Sequence, residues 1–328
     1  MANRSETATA LARLTDFVTP QAIHVISSLG IPQVLADGPL PAEEIAQRVG
    51  ANADALNRLL RFLTTKEVFS SDAPGVYGLT DMSILLSQEP LATLLSSNMT
   101  YKVFAELRHT ILTGQPAFQQ VYQGEYFEEL ANNDKERRRF EASMAYRSAA
   151  LFRGVEQLVD TEQATTVADI GAGGGQLLAR LLRARDGLQG LWFDLEEPLT
   201  AAQAHLQQAG VADRCTFAVG SFFETLPNGA DLYTFASVLH DWPDHVVGDI
   251  LRRCREVIPP AGRLVILEQL LDGAPTTVYG QDVNVMVMLG GRERSVEDFR
   301  KICLSSGFEV SRVRLNRTGV SALEAVPA

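Results

Sequence analysis

One stretch decides the fold of this chain: Val167-Ala168-Asp169-Ile170-Gly171-Ala172-Gly173-Gly174-Gly175. An apolar run ends there in an acid and an isoleucine and passes into a cluster of glycines, and leucines at helical spacing follow over residues 177–182. This order predicts a strand, a tight turn and a helix, the opening unit of an open α/β sheet. Glycines suit such a turn because the backbone bends sharply and a ligand can approach without meeting a Cβ atom. Doubly wound folds bind cofactors in the crevice at this end of the strand.

The spacing of the glycines argues against a dinucleotide. The fingerprint G-x-G-x-x-G is absent, because its third glycine position holds Gln176 in one register and Leu178 in the other. The chain instead has an acid followed by glycines at every second position: Asp169, Gly171, Gly173 and Gly175. A second apolar run ends in Asp194, where an acid can hold both hydroxyls of a ribose. A carboxylate near the first turn suits a cofactor with an ammonium and a sulfonium, which disfavours an NAD-dependent oxidoreductase. A structural turn without a ligand is the alternative.

Size and composition indicate an ordinary globular protein. With 328 residues, the chain is long enough for two domains that each bury a core. It has no apolar run of the roughly 18 residues that a transmembrane helix needs, and its first residues lack a signal-peptide core. Three scattered cysteines, Cys215, Cys254 and Cys303, give neither a disulfide framework nor a metal-ligand spacing. Forty acids against 29 bases argue against nucleic acid as the main partner. We therefore expect a soluble, cytoplasmic protein that binds neither nucleic acid nor membrane.

The first part of the chain has the element order of a winged helix. Residues 11–36 predict two helices, residues 41–50 a short acid-led helix closed by glycine, and a leucine-faced helix follows before a pair of strands around the turn at 72–75. This layout raises the alternative of a small-molecule-responsive, DNA-binding regulator. A duplex-binding face carries an excess of cations, whereas residues 41–68 contain four acids and four bases. The balanced charge favours protein–protein contact.

The remainder of the chain predicts helices and then an alternating α/β pattern. Residues 99–155 are helical in period and carry an aromatic and methionine stripe, which is typical of a core or of a cover over an apolar pocket. Seven apolar runs follow, at 166–170, 190–194, 215–219, 231–236, 263–268, 308–314 and 320–326. Helix-length intervals separate the first five, which predicts parallel strands, and a short turn joins the last two, which predicts an antiparallel hairpin at the edge. We therefore predict an α/β protein: a mostly helical, winged-helix-like domain at 1–98, then helices and a Rossmann-like doubly wound sheet with an antiparallel terminal edge strand at 99–328.

Two residues at the carboxyl ends of predicted strands and one in a loop indicate acid–base chemistry. His240 follows the fourth strand, Glu268 ends the fifth, and Glu293 lies in the glycine-marked loop Gly290-Gly291-Arg292-Glu293-Arg294-Ser295. Parallel strands share one carboxyl edge, so His240 and Glu268 are expected above the same crevice as the glycine turn. The loop that carries Glu293 could close over this site. A histidine flanked by carboxylates has a raised pKa, a fixed tautomer and an oriented ring, which suits a general base. A structural histidine and solvated surface acids are the alternatives.

These motifs occur in the order and spacing of one known family. The matching segments are Asp169-x-Gly171-x-Gly173-x-Gly175, Phe193-Asp194-Leu195, Gly220-Ser221-Phe222-Phe223, Leu239-His240-Asp241-Trp242, Glu268 and Gly291-Arg292-Glu293-Arg294-Ser295. The chain resembles the S-adenosylmethionine-dependent O-methyltransferases of the caffeic acid and hydroxyindole type, including bacterial enzymes that tailor aromatic antibiotics. The resemblance covers nearly the whole chain, because those proteins also begin with a winged-helix-like dimerisation module.

The resemblance implies a role for each matching residue. Binding of S-adenosylmethionine is implied for Asp169, Gly171, Gly173, Gly175, Asp194, Leu195, Gly220, Ser221, Phe222, Phe223, Ser237, Asp241 and Trp242. The glycine turn would cradle the methionine part, Asp194 would hold the ribose, and Phe222 would lie against the adenine. His240 would be the base that takes the acceptor's proton, bracketed by Glu268 and Glu293. The acceptor pocket would be lined by Phe104, Met144, Asn284 and Met288. No metal would be needed, and the N-terminal domain would form a homodimer.

Four positions depart from residues that are common in that family: Ala172, Ser221, Ser237 and Phe104. Phe104 stands where a tryptophan is frequent, which predicts a reshaped acceptor pocket. The catalytic trio does not depart, which weighs against relatives that kept the fold but lost methyl transfer. The predicted reaction is base-assisted, in-line methyl transfer to the phenolic hydroxyl of an aromatic small molecule. N-methylation of an aromatic heterocycle and a non-methylating relative that binds the cofactor are the alternatives. The sequence does not identify the acceptor.

Overall fold

The structure is a computed structural model that describes residues 4–88 and 97–328. The chain separates into two compact units, Met1–Asn98 with Arg138–Ser143 and Met99–Arg137 with Met144–Ala328. The expectation that no signal peptide begins the chain rests partly on residues 1–3, which lie outside the described residues.

The first unit has the helix–turn–helix–hairpin order that the sequence predicts. Its described helices are Arg4–Leu14, Val18–Ser28, Ile31–Val34, Ala42–Val49, Ala53–Thr64 and Asp81–Ser87. Strands β1 (Leu40–Pro41), β2 (Phe69–Ala73) and β3 (Val76–Leu79) form an antiparallel sheet in the order β1-β3-β2. Gly50 ends the fourth helix with a φ of +68°, and Asn52 caps the fifth by accepting a hydrogen bond from the Ala55 N–H. Residues 11–36, predicted as two helices, hold parts of three, because Gly30 in the left-handed region (φ +68°) begins a separate short helix.

The first helix of this unit has an unusual surface. Arg4–Leu14 has no buried residue. Its last residue, Leu14, exposes 84% of its surface, and Phe17, three residues later, exposes 76%. By contrast, the helices Ala42–Val49 and Ala53–Thr64 bury one apolar face in the core of the unit. Exposed apolar patches of this kind mark contacts with other proteins.

The second unit is built on a seven-stranded sheet. Its strands are β4 (Thr166–Ile170), β5 (Gln189–Asp194), β6 (Cys215–Val219), β7 (Leu232–Ala236), β8 (Arg263–Glu268), β9 (Phe308–Arg314) and β10 (Ser321–Pro327), in the order β6-β5-β4-β7-β8-β10-β9. The first five are parallel, and β10 is antiparallel to both β8 and β9. The predicted fold class and the edge hairpin are confirmed.

One detail of the hairpin differs from the prediction. The antiparallel terminal strand, β10, lies one place inside the edge, and β9 is the edge strand. Burial explains this order, because β10 buries Ala322, Leu323 and Ala325 in the core, whereas β9 alternates buried and exposed positions near its start. A strand with water on one face is suited to an edge.

Helices cover both faces of this sheet. They are Gln176–Ala184, Leu199–Gln208, Asp244–Val257 and Val296–Ser305. Thr276–Leu289 packs instead against three of the connecting helices before β4. These connecting helices are Met99–Phe104, Leu107–Thr113, Ala117–Tyr122, Tyr126–Asn132 and Asp134–Leu151. Short 3₁₀ turns occur at Val155–Gln157, Ala212–Arg214 and Leu239–Asp241. Two apolar cores result, one on each face. Within residues 4–88 and 97–328, no helix combines the length and the apolarity that crossing a bilayer requires.

Candidate active site

The glycine turn and the histidine turn meet at the switch point of the sheet. The chain runs outward from β4 to β5 and β6 and then returns to β7, which pairs with the other side of β4. Open α/β sheets bind ligands outside the carboxyl ends of the strands at such a point. A Cβ atom at Gly171, after β4, would lie 2.7 Å from Cγ2 of Val238, after β7. Gly171 also has a φ of +71°, so glycine is required for the two turns to pack this closely.

Asp194 fastens the glycine turn to the end of β5. Its Oδ2 accepts a hydrogen bond from the Gly173 N–H at 2.7 Å, and its Oδ1 accepts one from the Leu195 N–H at 2.7 Å. Burial raises the pKa of this carboxyl group, and the two N–H groups oppose that shift. An ionised carboxylate has about four acceptor sites, so Asp194 keeps the capacity to accept hydrogen bonds from ribose hydroxyls as well. Leu195 beside it is exposed.

Asp169 is buried near the end of β4, two residues before Gly171. Its side chain is buried in the sheet and its Oδ1 accepts a hydrogen bond from Thr234 Oγ1 at 2.9 Å. Burial raises the pKa of Asp169 to about 7. The structure therefore shows Asp169 bracing β4 against β7 just before the glycine turn.

An aromatic cluster, called the aromatic wall below, contains Phe222, Phe223 and Trp242 of the predicted cofactor site. The rings of Phe222 and Phe223 lie 4.7 Å apart, and Trp242 packs edge-on against Phe223 at 4.8 Å. Phe127 also stacks on Trp242, with 5.9 Å between the ring centres. A Cβ at Gly220 would lie 2.8 Å from the ring of Phe193, so a side chain at that position would displace this ring. Ser221, the next residue, accepts a hydrogen bond from the Phe223 N–H at 3.2 Å. Aromatic faces of this kind suit a planar base.

The structure brings His240, Glu268 and Glu293 together. His240 lies in the 3₁₀ turn Leu239–Asp241, and its Nδ1 is 2.8 Å from Oε1 of Glu293, which is buried. Glu268 binds the turn differently, because its Oε1 accepts hydrogen bonds from three consecutive backbone N–H groups, those of residues 238, 239 and 240, at 3.1, 2.8 and 3.3 Å. Its Oε2 lies 4.0 Å from His240 Nδ1. Glu293 therefore orients the ring, whereas Glu268 mainly holds the backbone that carries it.

The carboxylates control the protonation of His240. Burial alone would lower the pKa of its imidazole, but Glu268, Asp241 and Glu293 raise that pKa to about 10. Burial raises the pKa of Glu268 to about 7 against the opposing charge of His240. Burial also raises the pKa of Asp241, whose Oδ1 lies 3.5 Å from His240 Nε2. At neutral pH His240 is therefore an imidazolium.

The predicted acceptor residues lie on several helices of the second unit. Asn284, half-buried, and Met288, buried, lie one turn apart on Thr276–Leu289, which packs against the His240 turn and against Met99–Phe104. Phe104, half-buried, ends the latter helix. Met144 is half-buried on Asp134–Leu151, one turn before Arg147, whose charge interacts with Asp241. The structure thus places Phe104, Asn284 and Met288 on two helices that contact each other, one of which contacts the turn that carries His240.

Some residues of the site carry no role in the sequence prediction. Asp282 accepts a hydrogen bond from the Glu293 N–H at 2.8 Å, and Thr234 supports Asp169. Arg294 belongs to the quoted glycine–arginine motif, but the sequence did not predict that this charged side chain is buried. Ser237, predicted near the cofactor, has a φ of +55° and donates its N–H to the Leu267 carbonyl at 2.9 Å. A non-glycine residue in this region is typical of a functional turn.

Two family models match the chain: the O-methyltransferase domain over residues 104–309 and the O-methyltransferase dimerisation domain over residues 12–89. The chain belongs to the O-methyltransferase family. It is 34% identical to the phenazine O-methyltransferase PhzM of Lysobacter antibioticus over 97% of this chain and 95% of that protein. It is also 34% identical to the 2,7-dihydroxy-5-methyl-1-naphthoate 7-O-methyltransferase of Streptomyces carzinostaticus, over 92% of each chain. The solved structure of the O-methyltransferase NcsB1 from neocarzinostatin biosynthesis, in complex with S-adenosylmethionine and 2-hydroxy-5-methyl naphthoic acid, has a TM-score of 0.89 and 33% identity and covers 96% of this chain and 98% of its own.

These findings confirm the predicted family and its cofactor. The protein is an S-adenosylmethionine-dependent O-methyltransferase, with relatives in bacterial antibiotic biosynthesis. Its winged-helix-like elements fall within the dimerisation domain, which disfavours the DNA-binding alternative.

The cluster of His240, Glu268 and Glu293 also has the composition of a metal site. Ligand atoms of His240, Glu268 and Glu293 lie within 4.8 Å of one another. Among the described residues, Oε2 of Glu268 and Oε2 of Glu293 are buried without a hydrogen-bond partner. The imidazolium already supplies a positive charge to these carboxylates, so we assign no metal to this methyltransferase.

Proposed function

We propose that this enzyme methylates a phenolic hydroxyl of an aromatic small molecule, a secondary metabolite, with His240 as the general base. The observation that carries this proposal is the buried pairing of His240 Nδ1 with Glu293 Oε1 at 2.8 Å, beside the switch point of the sheet. Relatives named for phenazine and naphthoate substrates support an aromatic acceptor. When bound, S-adenosylmethionine supplies an electrophilic methyl group on a sulfonium whose positive charge lowers the pKa of nearby groups.

The pairing with Glu293 assigns the tautomer of the base. If Nδ1–H donates to Glu293, the neutral ring has its lone pair on Nε2. Nε2 would then accept the proton of the acceptor hydroxyl, and S-adenosylmethionine, when bound, would supply the methyl group to that oxygen and leave as S-adenosylhomocysteine. The proton passes from His240 to water after the transfer. The sum is one proton released and one methyl group moved, with no oxidation.

The raised pKa of His240 suits a phenol. A phenol has a pKa near 10, and the surrounding carboxylates raise the pKa of His240 to about 10 as well. Proton transfer between groups of equal pKa is nearly isoenergetic, so transfer from the phenol to His240 is not uphill in free energy. A histidine with an ordinary pKa would be a weaker acceptor for the same proton.

The cofactor site fits S-adenosylmethionine in its donor set. Asp194 has free acceptor capacity for a ribose, and Phe222, Phe223 and Trp242 offer aromatic faces for an adenine. The glycine turn leaves room above Gly173, where a Cβ would meet no atom within 4 Å. We assign Gly171, Gly173 and Gly175 to the methionine part of the cofactor.

We further propose a cytoplasmic homodimer, with residues 1–98 as the dimerisation domain and residues 99–328 as the catalytic domain. The dimerisation-domain match and the exposed Leu14 and Phe17 support self-association. A second copy of this chain would cover apolar side chains that one copy leaves in water.

Methyl transfer from isotopically labelled S-adenosylmethionine tests the function. A panel of phenols, hydroxylated aromatic acids and nitrogen heterocycles is incubated with wild type and with His240→Ala, and products are identified by mass spectrometry. We expect label on a phenolic oxygen and a loss of rate in the variant, with cofactor affinity retained in calorimetry. Label on a ring nitrogen, insensitive to His240→Ala, would instead establish N-methylation, because a neutral ring nitrogen has no proton to lose.

A further inference from the structure

Arg294 is the only arginine or lysine among the described residues that is buried. Its side chain is 0% exposed. A buried guanidinium is unfavourable unless its donors are paired, since it gives up its hydration. Because Arg294 directly follows Glu293, the groups that pair with its guanidinium lie close to the proposed base.

The guanidinium of Arg294 spans the histidine turn. Nη1 donates to the carbonyl oxygen of Leu239 at 2.9 Å, and Nη2 donates to that of Trp242 at 2.7 Å. Nε donates to Oδ1 of Asp244 at 2.9 Å. The guanidinium carbon lies 5.7 Å from the centre of the Phe299 ring, within the range of a cation–π contact. One planar group thus binds the carbonyls before and after the pair His240–Asp241.

The rest of the turn is held by other groups. Glu268 accepts hydrogen bonds from the backbone N–H groups of residues 238–240. The Arg292 N–H donates to the His240 carbonyl at 2.8 Å. A Cβ at Gly291 would collide with that carbonyl oxygen and with the backbone of Asp241. Without Arg294, the carbonyls of Leu239 and Trp242 would each lose a charged donor.

The two ends that Arg294 joins have different tasks in the proposed function. Leu239 immediately precedes His240, the proposed base. Trp242 packs against Phe222 and Phe223 in the aromatic wall of the cofactor site. We infer that Arg294, neutralised by Asp244, is a positioning residue that couples the geometry of the base to that of the aromatic wall. This inference rests on the proposed function for the identity of the base.

Arg294→Lys tests the coupling, because lysine keeps the charge but cannot bind both carbonyls in one plane. We expect methyl transfer per folded molecule to fall roughly 10²-fold, the effect of a misplacement of about 1 Å. Affinity for S-adenosylhomocysteine should also weaken, and hydrogen exchange at residues 238–242 should accelerate. The rising limb of the pH–rate profile should move to lower pH, since a ring no longer held against Glu293 loses a carboxylate that raises its pKa. Asp244→Asn should show the same changes at smaller size.

Matched controls lie on the helix that Asp244 begins. Arg252 and Asp249 form an exposed ion pair there. Arg252→Lys and Asp249→Asn should therefore leave the transfer rate, the affinity for S-adenosylhomocysteine, the hydrogen exchange at residues 238–242 and the pH limb unchanged. A purely structural Arg294 would lower the melting temperature alone, with the pH limb, the affinity and the local exchange as in wild type, and that result overturns the inference. Because affinity and exchange need no acceptor, they decide the matter even if wild type methylates no tested phenol, which would count against the proposed function instead.

Discussion

Glu268, Asp241 and Glu293 together set the pH at which His240, the proposed base, becomes neutral. His240 is useful only when neutral, and the carboxylates of Glu268, Asp241 and Glu293 hold its pKa at about 10. Activity should therefore rise with pH through the neutral and alkaline range. The charge of Arg147 lowers the pKa of Asp241, and burial together with the charge of Asp241 raises the pKa of Tyr126.

Glu293→Gln should move this rising limb to lower pH. The substitution removes one carboxylate that stabilises the imidazolium, so the pKa of His240 falls and the neutral form dominates earlier. The maximal rate should fall as well, because the ring loses its charged partner. The measurement is the pH dependence of kcat/KM for wild type and variant, and Glu297→Gln, an exposed acid on the next helix, is the control. A limb that stays in place would show that Glu293 does not control the base.

Part of the arrangement around His240 could be predicted from the sequence. The positions of His240 and Glu268 follow from strands that end at one edge, so their proximity was predictable. The division of work between the two acids was not, because the three N–H groups that bind Glu268 are backbone groups whose direction is set by the turn. Asp169 was predicted in the cofactor site, but the hydroxyl that holds it belongs to Thr234, 65 residues away.

Among the elements, the loop after Thr276–Leu289 must approach the histidine turn closely. Gly291→Ala would force its Cβ against the His240 carbonyl and the Asp241 backbone. Overpacking of this kind costs about 1–3 kcal/mol, and here the strain falls on the base itself, so activity should fall with stability. Urea unfolding and transfer rates measure both effects.

Gly280→Ala is the matched control for this prediction. Gly280 lies within Thr276–Leu289, and its Cβ would meet no atom within 4 Å. Alanine in a helix interior should stabilise the protein by about 0.5–1 kcal/mol with activity intact. Equal behaviour of the two variants would contradict the close packing at Gly291.

Element order was predictable because each strand and helix carries its own pattern. The alternation of apolar runs and helix-length intervals gave the five parallel strands, and a four-residue turn gave the hairpin of β9 and β10. Which hairpin strand lies at the edge depends on how each strand is buried on both faces, and that depends on helices distant in sequence.

At the scale of the whole molecule, the exposed side chains of Leu14 and Phe17 predict a dimer through the N-terminal domain. Leu14→Glu with Phe17→Glu should shift the mass from dimer to monomer, because charge in an apolar contact is strongly unfavourable. Light scattering after gel filtration measures the mass. Leu304→Glu is the control, since Leu304 is 68% exposed on a helix of the second unit. A monomeric wild type, or a double variant that stays dimeric, would contradict the proposal.

The most direct test of base-assisted transfer compares wild type and His240→Ala on phenols of graded acidity at one pH. At a pH where part of His240 is neutral, a phenol with a pKa near 10 is still mostly protonated, so loss of the base should slow its methylation by roughly 10²–10⁴-fold. A nitrophenol that is already ionised needs no base, so the two enzymes should approach equal rates. A ratio that falls steadily with acceptor pKa is the result we predict. A ratio that is the same for every phenol would show that His240 does not remove the proton.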